Sequence, residues 1–152
     1  MASASAGDEL IDVIVRLPRK AVEESLLSAA AAGGTIADLR LGEAKAILAG
    51  RRRRTRCFSG ARFLDPSWDM ILELYVAQGE HRDIAVSQLC SLSGASMTTA
   101  LRHIEQLEAV GYIERIPDPA DRRRANVSML PRLRNAAEEW LDLQIASSRA
   151  TG

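Results

Sequence analysis

The chain has 152 residues and a formal net charge of zero, and 47% of its residues are apolar but only 4% aromatic. This length suits one domain of about 70 residues with helical additions and argues against a second full domain. The aliphatic composition favours a mainly helical protein over a β-sandwich. No apolar run approaches the roughly 20 residues that cross a bilayer. The first ten residues also lack the pattern of a signal peptide, so we expect a cytoplasmic protein.

Charge is unevenly distributed along the chain. Residues 36–62 carry a net charge of +6, mainly from the run RRRRTR, whereas residues 63–111 carry −5 and residues 112–130 carry +1. Local charge determines the attraction of a surface for a polyanion. The neutral total therefore does not exclude nucleic acid as a partner.

Residues 1–34 are predicted to precede the main domain. Residues 1–8 are small and polar, which favours a disordered tail, and residues 9–34 are predicted to form a strand-helix extension. The strand is predicted from the apolar positions Ile11, Val13, Val15 and Leu17 and ends at Pro18. The helix is predicted from Arg19 to Ala32, with an apolar face formed by Val22, Leu26, Leu27 and Ala30. The order of strand and helix is also similar to a ribbon-helix-helix arm, in which two chains pair their strands.

Residues 35–62 are predicted to form a helical arm that ends in an arginine cluster. Thr35 is a suitable cap for a helix whose apolar positions are Ile36, Leu39, Ala44, Ile47 and Leu48. The cluster that follows consists of Arg51, Arg52, Arg53, Arg54 and Arg56. It can be a solvated helix end, because cations are favourable near helix C-termini. It can also be a set of contacts to DNA phosphates, and the sequence leaves both interpretations open.

Residues 63–131 contain the first two helices of the predicted main domain. Asp65 followed by Pro66 predicts a capped helix start, and the helix is expected to end before Gly79. Its buried stripe is predicted to contain Trp68, Ile71, Leu72, Tyr75 and Val76. A short strand is predicted over residues 84–86, with Ser87 capping a short helix that stops at Ser93 and Gly94.

A third helix, capped by Ser96 and ending near Val110, divides into two faces. The inward face is predicted to contain Ala100, Leu101, Ile104, Leu107 and Val110. The outward face contains Thr98, Thr99, Arg102, His103 and Gln106, and together with Ser96 these residues are the candidate DNA contacts of the helix. Arginine and glutamine can bind base edges in a major groove, although a solvated helix face has the same composition.

A basic hairpin is predicted to follow this helix. Gly111 ends the helix, residues 112–116 form a strand, and the alternating residues Ala125, Val127 and Met129 form the returning strand. The turn between them contains Asp121, Arg122, Arg123 and Arg124. Basic side chains at such a tip can contact the phosphate backbone or the minor groove.

The order of helix, short strand, helix, turn, helix and basic hairpin resembles the winged helix-turn-helix of the multiple-antibiotic-resistance regulator (MarR) family, from about Phe63 to Leu141. The segment TTALRHIEQLEAVGYIER is similar to the family's recognition helix and first wing strand, and DPADRRRANVSM to its wing. The resemblance implies a sequence-specific, duplex DNA-binding transcription regulator. Helix 96–110 would lie in the major groove and wing 112–129 on the backbone or minor groove. Asp121 and Arg123 match the family's Asp-x-Arg pattern, which implies an acidic partner that orients the arginine.

The expected fold class is mainly α (α+β), a winged helix-turn-helix with an N-terminal strand-helix extension and a C-terminal helix over residues 132–148. We expect a homodimer held by Thr35–Ala49 and Arg132–Ile145, because neither stretch can bury its apolar stripe alone. The departure from the family's Leu-Thr-x-x-Gly pattern at Met129 and Leu130 leaves the start of the last helix open.

No nucleophile elbow, Walker or dinucleotide motif is present, so we expect neither an enzyme nor a cofactor. Cys57 and Cys90 form no CxxC pair, which predicts neither a disulfide nor a metal site, and His81 is predicted to lie in a loop. Cys90 is predicted to be buried, whereas Cys57, beside arginines, is open to an inert or an oxidant-sensing role. The alternative to DNA reading is a winged helix that binds proteins, which the acidic first helix favours. The sequence does not indicate whether a small-molecule effector binds.

Overall fold

The computed structural model describes residues 16–31 and 33–151. These residues contain six helices and three strands, in the order α1 (Arg19–Ala31), α2 (Ile36–Cys57), α3 (Pro66–Gly79), β1 (Ile84–Ala85), α4 (Val86–Leu92), α5 (Met97–Ala109), β2 (Ile113–Pro117), β3 (Ala125–Met129) and α6 (Pro131–Ala150). The predicted fold class, mainly α with a winged helix-turn-helix, is confirmed. The predicted tail and most of the predicted N-terminal strand lie outside the described residues, and Arg16 and Leu17, at the end of that predicted strand, are not in a strand. None of the described helices is both long enough and apolar enough to span a bilayer.

Helix α3 is the centre of the core. Pro66 stands at its first turn, where a missing N–H costs nothing, but the carboxylate of Asp65 makes no capping hydrogen bond, contrary to the prediction. Helices α2, α4, α5 and α6 and strand β3 all contact α3, so residues outside the predicted stripe are buried as well. Gly79, the last residue of the helix, permits a close approach of α2, because a Cβ there would lie 2.9 Å from Leu41 Cδ1.

A small antiparallel sheet lies beside the helices, with β3 between β1 and β2. Ile84 of β1 pairs with Val127, and Ile113 of β2 pairs with Met129. These four side chains are buried, as the period of two predicts for a sheet with one face on the core. The predicted strand at residues 84–86 is one residue shorter in the structure, because Val86 already begins α4.

Helix α2 begins at the predicted cap and extends further than its apolar pattern. The hydroxyl of Thr35 accepts the N–H of Asp38 at 3.1 Å, and the carboxylate of Asp38 accepts the N–H of Thr35 at 3.1 Å, which forms a capping box. The helix continues through the arginine cluster to Cys57, since arginine is a good helix former and the glycine at position 50 does not stop it.

Helices α1 and α6 form a second, smaller cluster. Val22 and Leu26 of α1 pack against Ile145 and Ala146 of α6. Leu27, predicted on the same face as Val22, is instead 64% exposed. Helix α6 begins with Pro131 at its first turn, which answers the question left open by its sequence.

The apolar stripes expected to form a dimer interface are largely buried within the chain. Ala44 and Leu48 of α2, and Leu133 and Leu141 of α6, belong to the main core cluster. The expectation that these stripes need a second subunit for burial is therefore wrong, because α3 and the neighbouring helices already cover them. Apolar side chains that stay exposed on α1 and α6 are Leu27, Trp140 and Leu143.

A partly buried ion-pair network joins α2 to α6. The Arg40 guanidinium donates to both carboxylate oxygens of Asp142, at 2.6 and 2.8 Å, and lies 3.4 Å from Glu138. The side chains of Arg40 and Asp142 are only 22% and 17% exposed. Two parallel hydrogen bonds between charged groups are stronger than neutral ones, so this pair fixes α6 against α2.

We expect Asp142→Asn to lower the free energy of unfolding by about 1–3 kcal/mol, because the partly buried guanidinium loses a charged bidentate partner. Urea unfolding measures the change. The matched control is Glu23→Gln on α1, whose partner Arg19 is 94% exposed, and this change should cost less than about 0.5 kcal/mol. Equal losses for the two variants would contradict a special role for the Arg40 network.

Candidate nucleic-acid interface

Helices α4 and α5 form a helix-turn-helix unit. The predicted cap of α4, Ser87, is wrong, because Ala85 is the N-cap and its N–H donates to Gln88 Oε1 at 3.0 Å. The turn contains Gly94, whose φ of 72° is the left-handed conformation that glycine adopts without strain. The Ser93 hydroxyl donates to the Cys90 carbonyl at 2.6 Å. Cys90 is buried, as predicted, and burial raises the pKa of its thiol, which makes it unreactive.

Helix α5 presents an exposed polar face away from the core. Ser96 is its N-cap, as predicted, and its hydroxyl accepts the Thr99 N–H at 3.3 Å. Ala100, Ile104 and Leu107 are buried, which confirms most of the inward face. Thr98, Thr99, Arg102 and Gln106 are all exposed. Val110 is 48% exposed rather than inward, because it lies past the last helical turn and caps the C-terminus.

His103 differs from the other residues of the predicted reading face. Its Nδ1 lies 2.7 Å from the hydroxyl of Ser67, in the first turn of α3, and its side chain is half-buried. One ring nitrogen is therefore engaged within the chain. His103 helps to hold α5 against α3, and at most its other edge faces outward.

Gly111 turns the chain from α5 into the wing. Its φ of 77° allows the Tyr112 N–H to reach the Leu107 carbonyl at 3.0 Å, the hydrogen bond of a glycine-ended helix. Arg115 of β2 then donates two hydrogen bonds to Glu108 of α5, at 3.0 and 2.9 Å. These bonds lower the pKa of the Glu108 carboxyl. The base of the wing is thus attached to α5.

The arginines of the wing tip, residues 118–124, differ in their side-chain contacts. The side chains of Arg122 and Arg123 are exposed, and Asp121 accepts the backbone N–H of Arg123 at 3.0 Å rather than its guanidinium. Arg124 donates to Gln88 Oε1 at 3.2 Å and lies 4.0 Å from Asp118. Arg124 therefore connects the wing to α4, whereas Arg122 and Arg123 extend from it.

One cleft lies between the wing and the start of α5. We call it the wing cleft, and its lining residues are Ala85, Val86, Ser87, Met97, Asp121, Arg123, Arg124 and Ala125. The structure therefore brings together the N-terminus of the predicted recognition helix and the predicted wing residues. Arg102 and Gln106 lie further along α5, outside this cleft.

The arginines of the cluster on α2 differ in their partners. Arg51 donates to Asp69 of α3, and Arg52 Nη2 donates to Glu73 of α3 at 2.5 Å. Arg54 lies over the ring of Phe63, 4.6 Å from its centroid. Among the described residues, no carboxylate lies within salt-bridge distance of Arg53 or Arg56, and both are exposed.

The remaining residues singled out in the sequence lie apart from this surface. Cys57 is exposed at the end of α2, and this exposure leaves both the inert and the oxidant-sensing interpretation open. His81 lies in a loop, as predicted, with a φ of 55°. Four residues that line this surface or hold its parts together were not predicted, namely Ser67, Gln88, Met97 and Arg115. Gln88 had a detectable signal, because glutamine at the third position of a helix often bonds back to the capping residue.

The fold and this surface define the class of protein, a winged helix-turn-helix. The model of the MarR family matches residues 79–125, from the end of α3 to the start of β3. This part of the chain is therefore MarR-like, as its sequence predicted. No curated protein matches the chain.

Three solved structures are among those to which the chain is similar. BpsR from Bordetella bronchiseptica is 18% identical, with 86% of this chain and 74% of that chain covered, at a TM-score of 0.44. A mutant of MarR from E. coli is 15% identical, with coverages of 88% and 79%, at a TM-score of 0.46. Streptococcus pneumoniae FabT, solved in complex with DNA, is 20% identical, with coverages of 70% and 72%, at a TM-score of 0.47.

The different partners of the cluster arginines predict effects of different size on stability for Arg51 and Arg53. Arg51→Ala should lower the free energy of unfolding by about 1–3 kcal/mol, because the partly buried Asp69 loses its charged donor. Arg53→Ala removes an exposed side chain and should change it by less than about 0.5 kcal/mol. Urea unfolding of both variants checks this, and a larger loss for Arg53→Ala would show that the pairing is misassigned.

Proposed function

We propose that the chain is a transcription regulator that binds duplex DNA at specific sequences. One observation supports this most strongly: Met97, the first residue of α5, and the wing residues Arg123 and Arg124 line one cleft, and most of the polar side chains of α5 that follow Met97 are exposed. A helix and a basic hairpin in this arrangement can contact a major groove and the adjacent backbone or minor groove together.

Base reading is assigned to the outer face of α5. Arg102 and Gln106 are one helical turn apart and exposed, and their side chains match the donor and acceptor patterns of guanine and adenine. Thr98 and Thr99 offer short hydroxyl groups near the N-terminus of the helix. Ser96 serves the helix as its cap, and His103 contributes mainly through Ser67.

Backbone contacts are assigned to arginines whose charges are not used within the domain. On the wing these are Arg122 and Arg123, and Arg123 is the one that lines the cleft. On α2 they are Arg53 and Arg56, whereas Arg51 and Arg52 hold α2 on α3 and Arg54 lies over the ring of Phe63. Arg124 is a positioning residue in this assignment, because its guanidinium is directed to Gln88 and Asp118.

A dimer is part of the proposal, and its contacts are assigned to exposed apolar side chains on α1 and α6. Leu27, Trp140 and Leu143 are 64%, 40% and 46% exposed, on the two helices that pack together at one end of the molecule. Exposed apolar side chains on adjoining helices are candidates for burial between subunits. Two subunits would then present two recognition helices to successive major grooves.

Salt titration separates base reading from backbone contact. Arg102→Ala should remove about 1–3 kcal/mol of discrimination at particular base pairs of a selected duplex and leave binding to random DNA nearly intact. Arg122→Ala should weaken every duplex similarly and reduce the slope of log affinity against log salt by about one unit. Arg123→Ala should act most strongly on sites with narrow A·T-rich flanks.

Arg124→Ala provides the contrast. As a positioning residue it should weaken all duplexes without changing the salt slope, because no phosphate contact is lost. Arg19→Ala on α1 is the control, with unchanged affinity and slope. Equal behaviour of all variants on selected, flank-altered and random duplexes would contradict DNA reading. That result would favour the alternative, a winged helix that binds proteins.

Sedimentation tests the dimer. The full chain should sediment as a dimer at micromolar concentration, and Leu143→Glu should shift it toward the monomer because the charge would be buried at the interface. Ile116→Glu is the matched control, since Ile116 of β2 is 44% exposed but lies in the wing. A full-length monomer that binds a selected duplex tightly would rule out the dimer.

A further inference from the structure

Met97 is an exposed apolar residue at the start of the proposed recognition helix. It is the first residue of α5, lies between the polar residues Ser96 and Thr98, and is 54% exposed. Isolated apolar residues on a surface are common and need no explanation by themselves. The position of Met97 relative to the wing is what distinguishes it.

Met97 continues the inward stripe of α5 beyond the end of the core. Ala100 and Ile104 follow it by three and seven positions and are fully buried. Met97 itself is only about half covered, and it lines the wing cleft. The cleft also contains the small apolar side chains of Val86 and Ala125, beside Arg123. An apolar patch therefore lies between two groups that are proposed to contact DNA.

One apolar group is available on the base edges of a major groove, the 5-methyl group of thymine. Methionine suits such a contact, because its side chain is unbranched, flexible and polarisable. We propose that Met97 contacts the methyl group of a thymine and is thereby a specificity-determining residue. This inference rests on the proposed DNA reading and adds a thymine contact by Met97 to the contacts assigned to the polar residues of α5.

The experiment removes the methyl group from the DNA rather than from the protein alone. A duplex is first selected from a random pool by the full chain, and each thymine in it is then replaced in turn by deoxyuridine. At one or two positions the wild-type protein should bind about fourfold more weakly, the factor that corresponds to one buried methyl-sized group. Met97→Ala should bind the thymine duplex with a similar loss and should not distinguish thymine from deoxyuridine at those positions.

Two variants sharpen the result. Met97→Leu keeps an apolar side chain and should retain part of the thymine preference. Leu92→Ala removes a similarly exposed apolar residue, 44% exposed on α4 and outside the wing cleft, and should leave the preference unchanged. Thermal unfolding of each variant confirms that folding is intact.

The outcomes separate this inference from the proposed function. If the chain selects a duplex but no deoxyuridine substitution weakens binding, or Met97→Ala keeps the full preference, the role of Met97 is overturned and DNA reading stands. If the chain selects no duplex, the proposed function fails and the inference fails with it. A loss that depends on both the methyl group and Met97 supports the contact.

Discussion

The burial of helix α3 is the constraint on which the rest of the structure depends. Eight of its 14 residues are buried, and five other elements contact it. Truncation of one large buried side chain typically costs about 2–5 kcal/mol, against a total stability of about 5–15 kcal/mol for a domain. The helix therefore cannot shift without loss of the fold. Its neighbours take their positions from it, including α5 through Ser67 and His103.

Burial of α3 also explains how the arginine cluster is used. Glu73 is only 7% exposed, and a carboxylate in such surroundings requires a charged or hydrogen-bonded partner. Arg52 supplies it, and Arg51 does the same for Asp69. The acidic character of this helix was the main sequence argument for a protein-binding module. Two of its carboxylates are satisfied within the domain, so that argument loses much of its force.

Features that depend on residues close in sequence could be predicted from the sequence. Ser96, Gly111 and the alternation of Val127 and Met129 each act through neighbouring backbone, and all three were placed correctly. Failures occurred where the outcome depends on distant residues. Leu27 and Val110 fit the helical period, but the period does not indicate how far the packing surface of the neighbouring elements extends. The partners of Arg51 and Arg52 lie 18 and 21 positions away in sequence, so their pairing could not be read from the cluster itself.

The wing is attached to both helices of the helix-turn-helix unit, α4 and α5. Glu108 and Arg115 fix the base of the wing to α5, and Gln88 receives both the Ala85 N–H and the Arg124 guanidinium through one oxygen. Among the wing-tip arginines, the side chains of Arg122 and Arg123 make no such contacts within the described residues. Because the wing is attached to both helices of the unit, α5 and the wing are held in one arrangement. In the proposed function, binding in a wrong register would therefore weaken base reading by α5 and backbone contact by the wing together.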